Sequence, residues 1–182
     1  MKLTGRRTWP LIAGLTAVLA ITTTAASAST SGHSAPQTIP KCTASDLGVW
    51  VAADEGNGTA GSIYYPLEFT NISSQTCYLD GFPGVSTIDS TGHQLGSPAS
   101  WNHQVNPSIV NLAPGATAHS ILQYIVVVVS PQCNQKPASM IKVFPPGQTS
   151  SATGFWDFES CTTAKPVYLS VEAIQPGTGP RI

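Results

Sequence analysis

Two tryptophans in polar surroundings are the side chains best suited to bind a ligand. Trp101 is flanked by Ser and Asn, and Trp156 is followed by Asp. An exposed indole offers a large apolar face that can stack on a sugar or anchor a protein contact. If the fold buries these side chains, they belong to the core instead. We name Trp101 and Trp156 as candidate binding residues, and we expect Trp50, in a Val-Trp-Val run, to be a core residue.

Carboxylates supply a second candidate chemistry. Asp157 and Glu159 are two residues apart on a possible strand, so they would share a face. Paired carboxylates hydrolyse glycosidic bonds, but two acids on a solvent-facing strand are more often solvated charge. No Gly-x-Ser-x-Gly elbow is present. Asp54, Glu55 and Asn57 offer oxygen ligands for calcium, yet their spacing fits no calcium loop and suits a polar hairpin tip. We expect no enzyme activity.

The histidines do not complete a metal site. A blue-copper centre needs two His, a Cys and usually a Met brought together. The four histidines, His33, His93, His103 and His119, follow no such spacing. We read them as surface residues and expect neither a metal nor another cofactor.

The first 28 residues have the layout of a secretory signal. Residues 1–10 carry three positive charges, residues 11–21 form a short apolar segment, and the small-residue site Ala26-Ser27-Ala28 follows. A spanning helix needs about 20 apolar residues, so a membrane anchor is disfavoured. No cysteine for lipidation follows the apolar segment. We expect cleavage after Ala28 and a secreted, extracellular product, with twin-arginine export through Arg6-Arg7 left open beside the general route.

The cysteines predict two disulfides. They are Cys42, Cys77, Cys133 and Cys161, an even number without C-x-x-C spacing. Facing residues of a hairpin are symmetric about its turn. The midpoint of the first two cysteines lies beside Asn57-Gly58, and that of the last two lies in Pro145-Pro146-Gly147. This symmetry predicts the pairs Cys42–Cys77 and Cys133–Cys161.

The rest of the chain is typical of short strands joined by turns. Residues 63–70 are β-branched and aromatic, residues 167–174 alternate, and residues 116–129 end in an apolar run. Pro66 cannot donate to a ladder, so we expect it at an edge or a bulge. About seven to nine strands indicate an all-β antiparallel sandwich over 41–175, between a flexible N-terminal tail at 29–40 and a C-terminal tail at 176–182.

Charge is scarce throughout. Charged residues make up 9% of the chain, where a soluble domain usually has about 25%. After removal of residues 1–28, five bases and nine acids remain, a net charge of −4. This balance argues against nucleic acid and anionic membranes as partners. The apolar fraction of 41% argues against a fully disordered chain.

Two segments carry a family resemblance. They are TCYLDGFPGV at 76–85 and LAPGATA at 112–118, with Asp89, Gly92 and a third cysteine after the long apolar strand. Over about 42–174 the chain resembles domain of unknown function 4232, found mainly in exported and lipid-anchored proteins of actinobacteria. The resemblance implies an immunoglobulin-like β-sandwich at the cell surface or outside the cell. It implies no activity and carries no catalytic residues.

We therefore expect a secreted, non-catalytic binding or interaction module that contacts an extracellular protein or a cell-wall glycan. One alternative is an inhibitor of secreted proteases that uses the uncharged loop 147–154 inside the Cys133–Cys161 closure. Another is an extracellular hydrolase that uses Asp157 or Glu159.

Overall fold

A computed structural model describes residues 38–59, 61–126 and 132–180, so the signal at 1–28 lies outside the described residues. Two short 3-10 helices, Ala44–Asp46 and Ala53–Glu55, interrupt a chain of strands and turns. The strands of the described ranges are β1 (Leu47–Val51), β2 (Asn57–Thr59), β3 (Ser62–Asn71), β4 (Cys77–Leu79), β5 (Gly84–Ile88), β6 (Gln94–Leu95), β7 (Ser100–Trp101), β8 (Val110–Leu112), β9 (Thr117–Ile125), β10 (Gln135–Pro137), β11 (Met140–Phe144), β12 (Ala152–Phe155), β13 (Glu159–Cys161), β14 (Leu169–Val171) and β15 (Gln175–Pro176).

A large sheet forms one layer. Its strands lie in the order β1-β3-β9-β14-β7, while β2 pairs with β3 and β15 pairs with β9. The antiparallel β3–β9 pair is its centre, and β7 joins β14 in parallel. Because side chains alternate along a strand, every second residue faces inward. Leu67, Phe69 and Leu122 are inward residues with no exposed surface.

A small sheet, in the order β12-β11-β5-β6, forms the opposing layer, and the pairs β4–β8 and β10–β13 lie beside the two sheets. The edge strands β1 and β12 approach each other closely. A Cβ atom added at Gly154 of β12 would lie 3.1 Å from the Val49 carbonyl oxygen of β1. This close approach favours glycine at position 154.

A cluster of aromatic rings fills part of the interior. The rings belong to Tyr65, Tyr124, Trp156, Phe158 and Tyr168. Trp156 packs with its ring centroid 4.6 Å from that of Phe158 and 5.6 Å from that of Tyr124. Rings of this size exclude much water per residue, which is the main driving force for the fold. The predicted all-β, sandwich-like architecture with two disulfides is confirmed.

Both predicted disulfides are present. The Cys42–Cys77 bond links residues whose Cα atoms lie 4.9 Å apart, and the Cys133–Cys161 bond links Cα atoms 5.1 Å apart. The symmetry argument holds because β3 folds back on β1 and β12 folds back on β11 about the expected points. In the first reversal, however, Asn57 and Gly58 belong to β2 rather than to the turn, which falls between Thr59 and Ser62.

Pro66 lies in the interior of the large sheet, at an interruption of the neighbouring strand. The Pro66 carbonyl accepts a hydrogen bond from Ala52 N. The nitrogen and the carbonyl of a residue in an antiparallel strand face the same neighbouring strand. The Pro66 nitrogen, which has no hydrogen to donate, therefore faces the side of β1 and β2. There β1 has ended at Val51, and the 3-10 helix Ala53–Glu55 separates it from β2. Pro66 keeps its register opposite Ile121 of β9, and the interruption of the neighbouring strand leaves no ladder partner that would need its N–H.

Residues 176–180, expected to be a tail, pack on the outer face of the large sheet. We call residues 175–180 the C-terminal strap. Gly177 N donates to Thr117 O at 3.0 Å, His119 Nδ1 donates to Gly177 O at 3.0 Å, and Gly179 N donates to Glu68 Oε1 at 3.1 Å. The strap has little apolar content, so its sequence gave no sign of this packing. Hydrogen bonds made by the backbone of the strap hold it in place.

Candidate functional site

Trp101 is the predicted binding residue that the structure leaves at the surface. Its side chain is 57% exposed. The indole stacks on the ring of Phe82 at a centroid distance of 5.3 Å and an angle of 15°. The His103 ring meets Phe82 edge-on at 4.7 Å. We call Phe82, Trp101 and His103 the aromatic platform.

Buried strands hold the backbone on both sides of Trp101. Trp101 pairs with Val171 of β14, whose side chain has no exposed surface. Ala99 N donates to the Val85 carbonyl at 2.8 Å, and Asn102 N donates to the Val171 carbonyl at 2.8 Å. A ligand that stacks on this indole would therefore not have to order the surrounding chain, which reduces the entropic cost of binding.

The turn Gly81-Phe82-Pro83-Gly84 places Phe82 beneath the indole. Gly81 has φ +108°, a backbone conformation that L side chains rarely adopt. Its carbonyl accepts a hydrogen bond from Ile174 N at 2.9 Å, which links the turn to the segment between β14 and β15. The sequence of this segment predicts a turn and no binding residue. The one signal that it contributes to a site is an aromatic residue within a Gly and Pro turn.

The chain segment that bears Trp101 is polar. Asn102 and Gln104 follow Trp101, and the Gln104 amide nitrogen donates to Asn102 Oδ1 at 3.1 Å. Residues 90–135 contain no Lys, Arg, Asp or Glu. Asp80, which is exposed, is the charged residue closest to Phe82 along the chain. The segment that bears Trp101 offers hydrogen bonds from neutral amides and hydroxyls rather than ion pairs.

The other two tryptophans of the described ranges differ from expectation in their exposure. Trp156 is 1% exposed within the interior aromatic cluster, so it is a core residue and is withdrawn as a binding candidate. Trp50, expected in the core, is 40% exposed. It lies on the outward side of β1, opposite Glu68 of β3. The apolar neighbours of Trp50 face inward instead, because side chains alternate along β1.

A depression of about 430 Å³ lies beside Trp50 on the outer face of the large sheet. Asp54, Glu55, Glu68 and the strap line it. Glu68 is 5% exposed and accepts the strap hydrogen bond described above. Burial raises the pKa of Glu172, which follows β14, and the charge of His119 acts against that rise. These polar groups lie under or beside the strap, and two of them bind its backbone.

The remaining candidates lie apart from the platform. Asp157 lies outside β13 and Glu159 begins it, with a bend at Phe158, so the two acids do not share a strand as expected. In the suggested inhibitory loop, Gln148 N donates to the Pro145 carbonyl at 3.0 Å, which closes the turn between β11 and β12. No three His, Cys, Asp or Glu side chains in the described ranges are grouped to hold a metal ion.

Asp89 organises a turn rather than a reactive site. Its Oδ1 accepts hydrogen bonds from Thr91 N at 2.9 Å and His93 N at 3.0 Å, and its Oδ2 lies 2.7 Å from Lys136 Nζ. The Lys136 ammonium, with further hydrogen bonds from Thr91 and His93, holds the pKa of Asp89 well below its usual range. Asp89 therefore remains charged and fixes the turn that ends at Gly92, whose φ is +86°.

Comparison with known proteins places the chain in a family. No curated protein and no solved structure matches it. In the described ranges, no helix is long and apolar enough to cross a membrane. The profile of the family described as Domain of unknown function (DUF4232) matches residues 42–175, which include both disulfides, the Phe82 turn and Trp101. The chain therefore belongs to the DUF4232 family.

Proposed function

We propose that the chain is exported, is processed after Ala28, and acts outside an actinobacterial cell as a non-catalytic binding module. Two disulfides support an oxidising destination, since such bonds persist mainly in exported proteins. The signal-like segment at 1–28 supports the route. The binding surface is the aromatic platform.

The stack of Trp101 on Phe82 is the observation that carries this proposal. An indole with more than half of its surface in water contributes little to the stability of the fold. The strand that bears it, β7, is only two residues long. Even so, hydrogen bonds to buried strands hold its backbone on both sides, and a second ring supports it. Exposed aromatic side chains on rigid elements are typical of binding surfaces, where they become anchors once water is excluded.

Co-sedimentation with cell envelopes from an actinobacterium tests the proposal. The processed protein is incubated with washed envelopes and compared with the Trp101→Ala and Trp50→Ala variants. Trp50 is the matched control because it is also an exposed tryptophan, on another strand and beside the depression on the outer face of the large sheet. We expect Trp101→Ala to lose most of the retention and Trp50→Ala to keep it. Equal retention of wild type and Trp101→Ala contradicts the proposal.

A further inference from the structure

The chemistry around Trp101 narrows the class of ligand. We propose that the aromatic platform binds the apolar face of a neutral pyranose ring in a glycan chain. This inference rests on the proposed function and names the ligand of the same site. It is carried by the stacked ring pair, the polar segment that bears Trp101 and the fixed backbone, taken together.

The ring geometry suits a flat ligand with C–H groups on one face. Phe82 covers one side of the indole in a nearly parallel stack, at an angle of 15°. The indole nevertheless remains 57% exposed, so it presents apolar ring surface to solvent. The faces of aromatic rings carry partial negative charge and attract the partial positive charge of C–H groups. A pyranose ring presents such groups on its face and its hydroxyl groups around the rim.

The residues that follow Trp101 in the chain offer partners for those hydroxyl groups. The side chains of Asn102 and Gln104 follow Trp101, and both contain an amide that donates and accepts hydrogen bonds. Gln104 is exposed, and Asn102 is half-buried with its Oδ1 bonded to Gln104 N. This bond orients the Asn102 amide group. Neutral donors and acceptors beside an aromatic face complement a polyol better than they complement an apolar helix.

The charge distribution disfavours ionic ligands. No Lys or Arg occurs between residues 90 and 135, so the segment that bears Trp101 has no permanently charged cation to pair with a uronate, phosphate or acidic peptide, and its nearest basic group is the His103 ring. Asp80, near Phe82 along the chain, would oppose an anion at this end of the fold. A cationic ligand would have this single exposed carboxylate to pair with, and such exposed pairs contribute little. A neutral sugar requires no ion pair.

Titration with soluble oligosaccharides tests the inference. The probes are chitin, cellulose and xylan oligosaccharides, with polygalacturonate oligosaccharides as the anionic comparison. The readout is the indole N–H resonance of Trp101 in the processed, ¹⁵N-labelled protein, assigned with Trp101→Phe. We expect at least one neutral series to shift this resonance, and Trp50 and Trp156 to stay unshifted. We expect Trp101→Ala to weaken binding about tenfold or more, as anchor residues do, and Trp50→Ala to change it less than about twofold.

The outcomes separate this inference from the function on which it rests. If no neutral oligosaccharide shifts the Trp101 resonance while envelope retention still depends on Trp101, the ligand class is overturned and the binding function stands. If protease treatment of the envelopes removes that retention, the ligand is a protein. Binding to the anionic series alone also overturns the inference. If neither oligosaccharides nor envelopes respond to Trp101→Ala, both proposals fail.

Discussion

The C-terminal strap makes a sharp prediction about Gly179. A Cβ atom at this position would lie 2.3 Å from the Cβ of Pro66 and 2.8 Å from its Cγ. Pro66 is buried within β3 and has no flexible side chain to move aside. Gly179→Ala therefore displaces the strap and breaks the hydrogen bond from Gly179 N to Glu68 Oε1.

The expected loss of stability follows from that hydrogen bond. A hydrogen bond to a charged group contributes about 1.5–3 kcal/mol. The alanine stabilises by about 0.4–1 kcal/mol through a less flexible unfolded chain. The difference is a loss of about 1.5 kcal/mol in the free energy of unfolding, which corresponds to a fall in Tm of about 5 °C for a domain of this size. Thr178→Ala is the matched control, since Thr178 is exposed in the same strap, and it should change stability by less than about 0.5 kcal/mol.

Urea unfolding of the processed protein, followed by tryptophan fluorescence, measures the loss, and hydrogen exchange at the Gly179 amide measures strap release. In a double-mutant cycle, Gly179→Ala should cost less in a Glu68→Ala background, because the partner of the broken bond is already absent. If Gly179→Ala matches Thr178→Ala in stability and keeps its amide protected, the strap does not depend on this close approach and the reasoning is refuted.

Three further predictions concern the core, the second disulfide and acid stability. Trp156→Ala should cost about 3–5 kcal/mol by leaving a cavity, whereas Trp156→Phe should cost about 1–2 kcal/mol in urea unfolding, because the indole N–H has no partner among the described residues and its loss leaves no bond unmade. Replacing both Cys133 and Cys161 by alanine opens a loop of sequence separation 28 and should cost about 3–4 kcal/mol by the loop-entropy estimate; a Tm equal to that of wild type would contradict it. Because the folded pKa of Asp89 lies below its unfolded value of 3.8, its stabilisation is present above about pH 4 and is lost as the pH falls through the folded value. Asp89→Asn should therefore unfold at lower urea concentration than wild type at pH 6, with a difference that shrinks toward pH 2; a constant difference would exclude this linkage.

Local rules account for what could be predicted of the fold. Strands β3, β9 and β14 occur at the segments that β-branched, aromatic and alternating residues predicted, because those patterns follow from the two-residue period of an extended chain. The disulfide pairing was predictable because each pair closes a chain reversal, whose symmetry is visible along the sequence. The turn at Gly81 was also predictable, because the positive φ of this position favours glycine.

The exposure of each aromatic ring was decided by the tertiary structure. The Val-Trp-Val run determined that Trp50 and its neighbours point to opposite sides of β1, but not which side the second sheet would cover. The polar residue after Trp156 suggested exposure, yet the rings of Tyr65 on β3 and Tyr124 on β9 pack against it from strands that are distant in the chain. Burial depends on which layers meet, and layer packing is a long-range property.

The platform and the strap also depend partly on the sequence pattern and partly on tertiary contacts. The sequence by itself selected Trp101 and determined the strands, the turns, the disulfides and the scarcity of charge around it. The contact of Trp101 with Phe82 joins strand β7 to the turn that precedes β5. The strap is held through its own backbone groups, Gly179 N and Gly177 O, which bond the side chains of Glu68 and His119, and backbone groups are the same at every position. Such contacts leave no pattern in the side chains, so only the folded chain could place a second ring beneath Trp101 and a strap across the outer face of the large sheet.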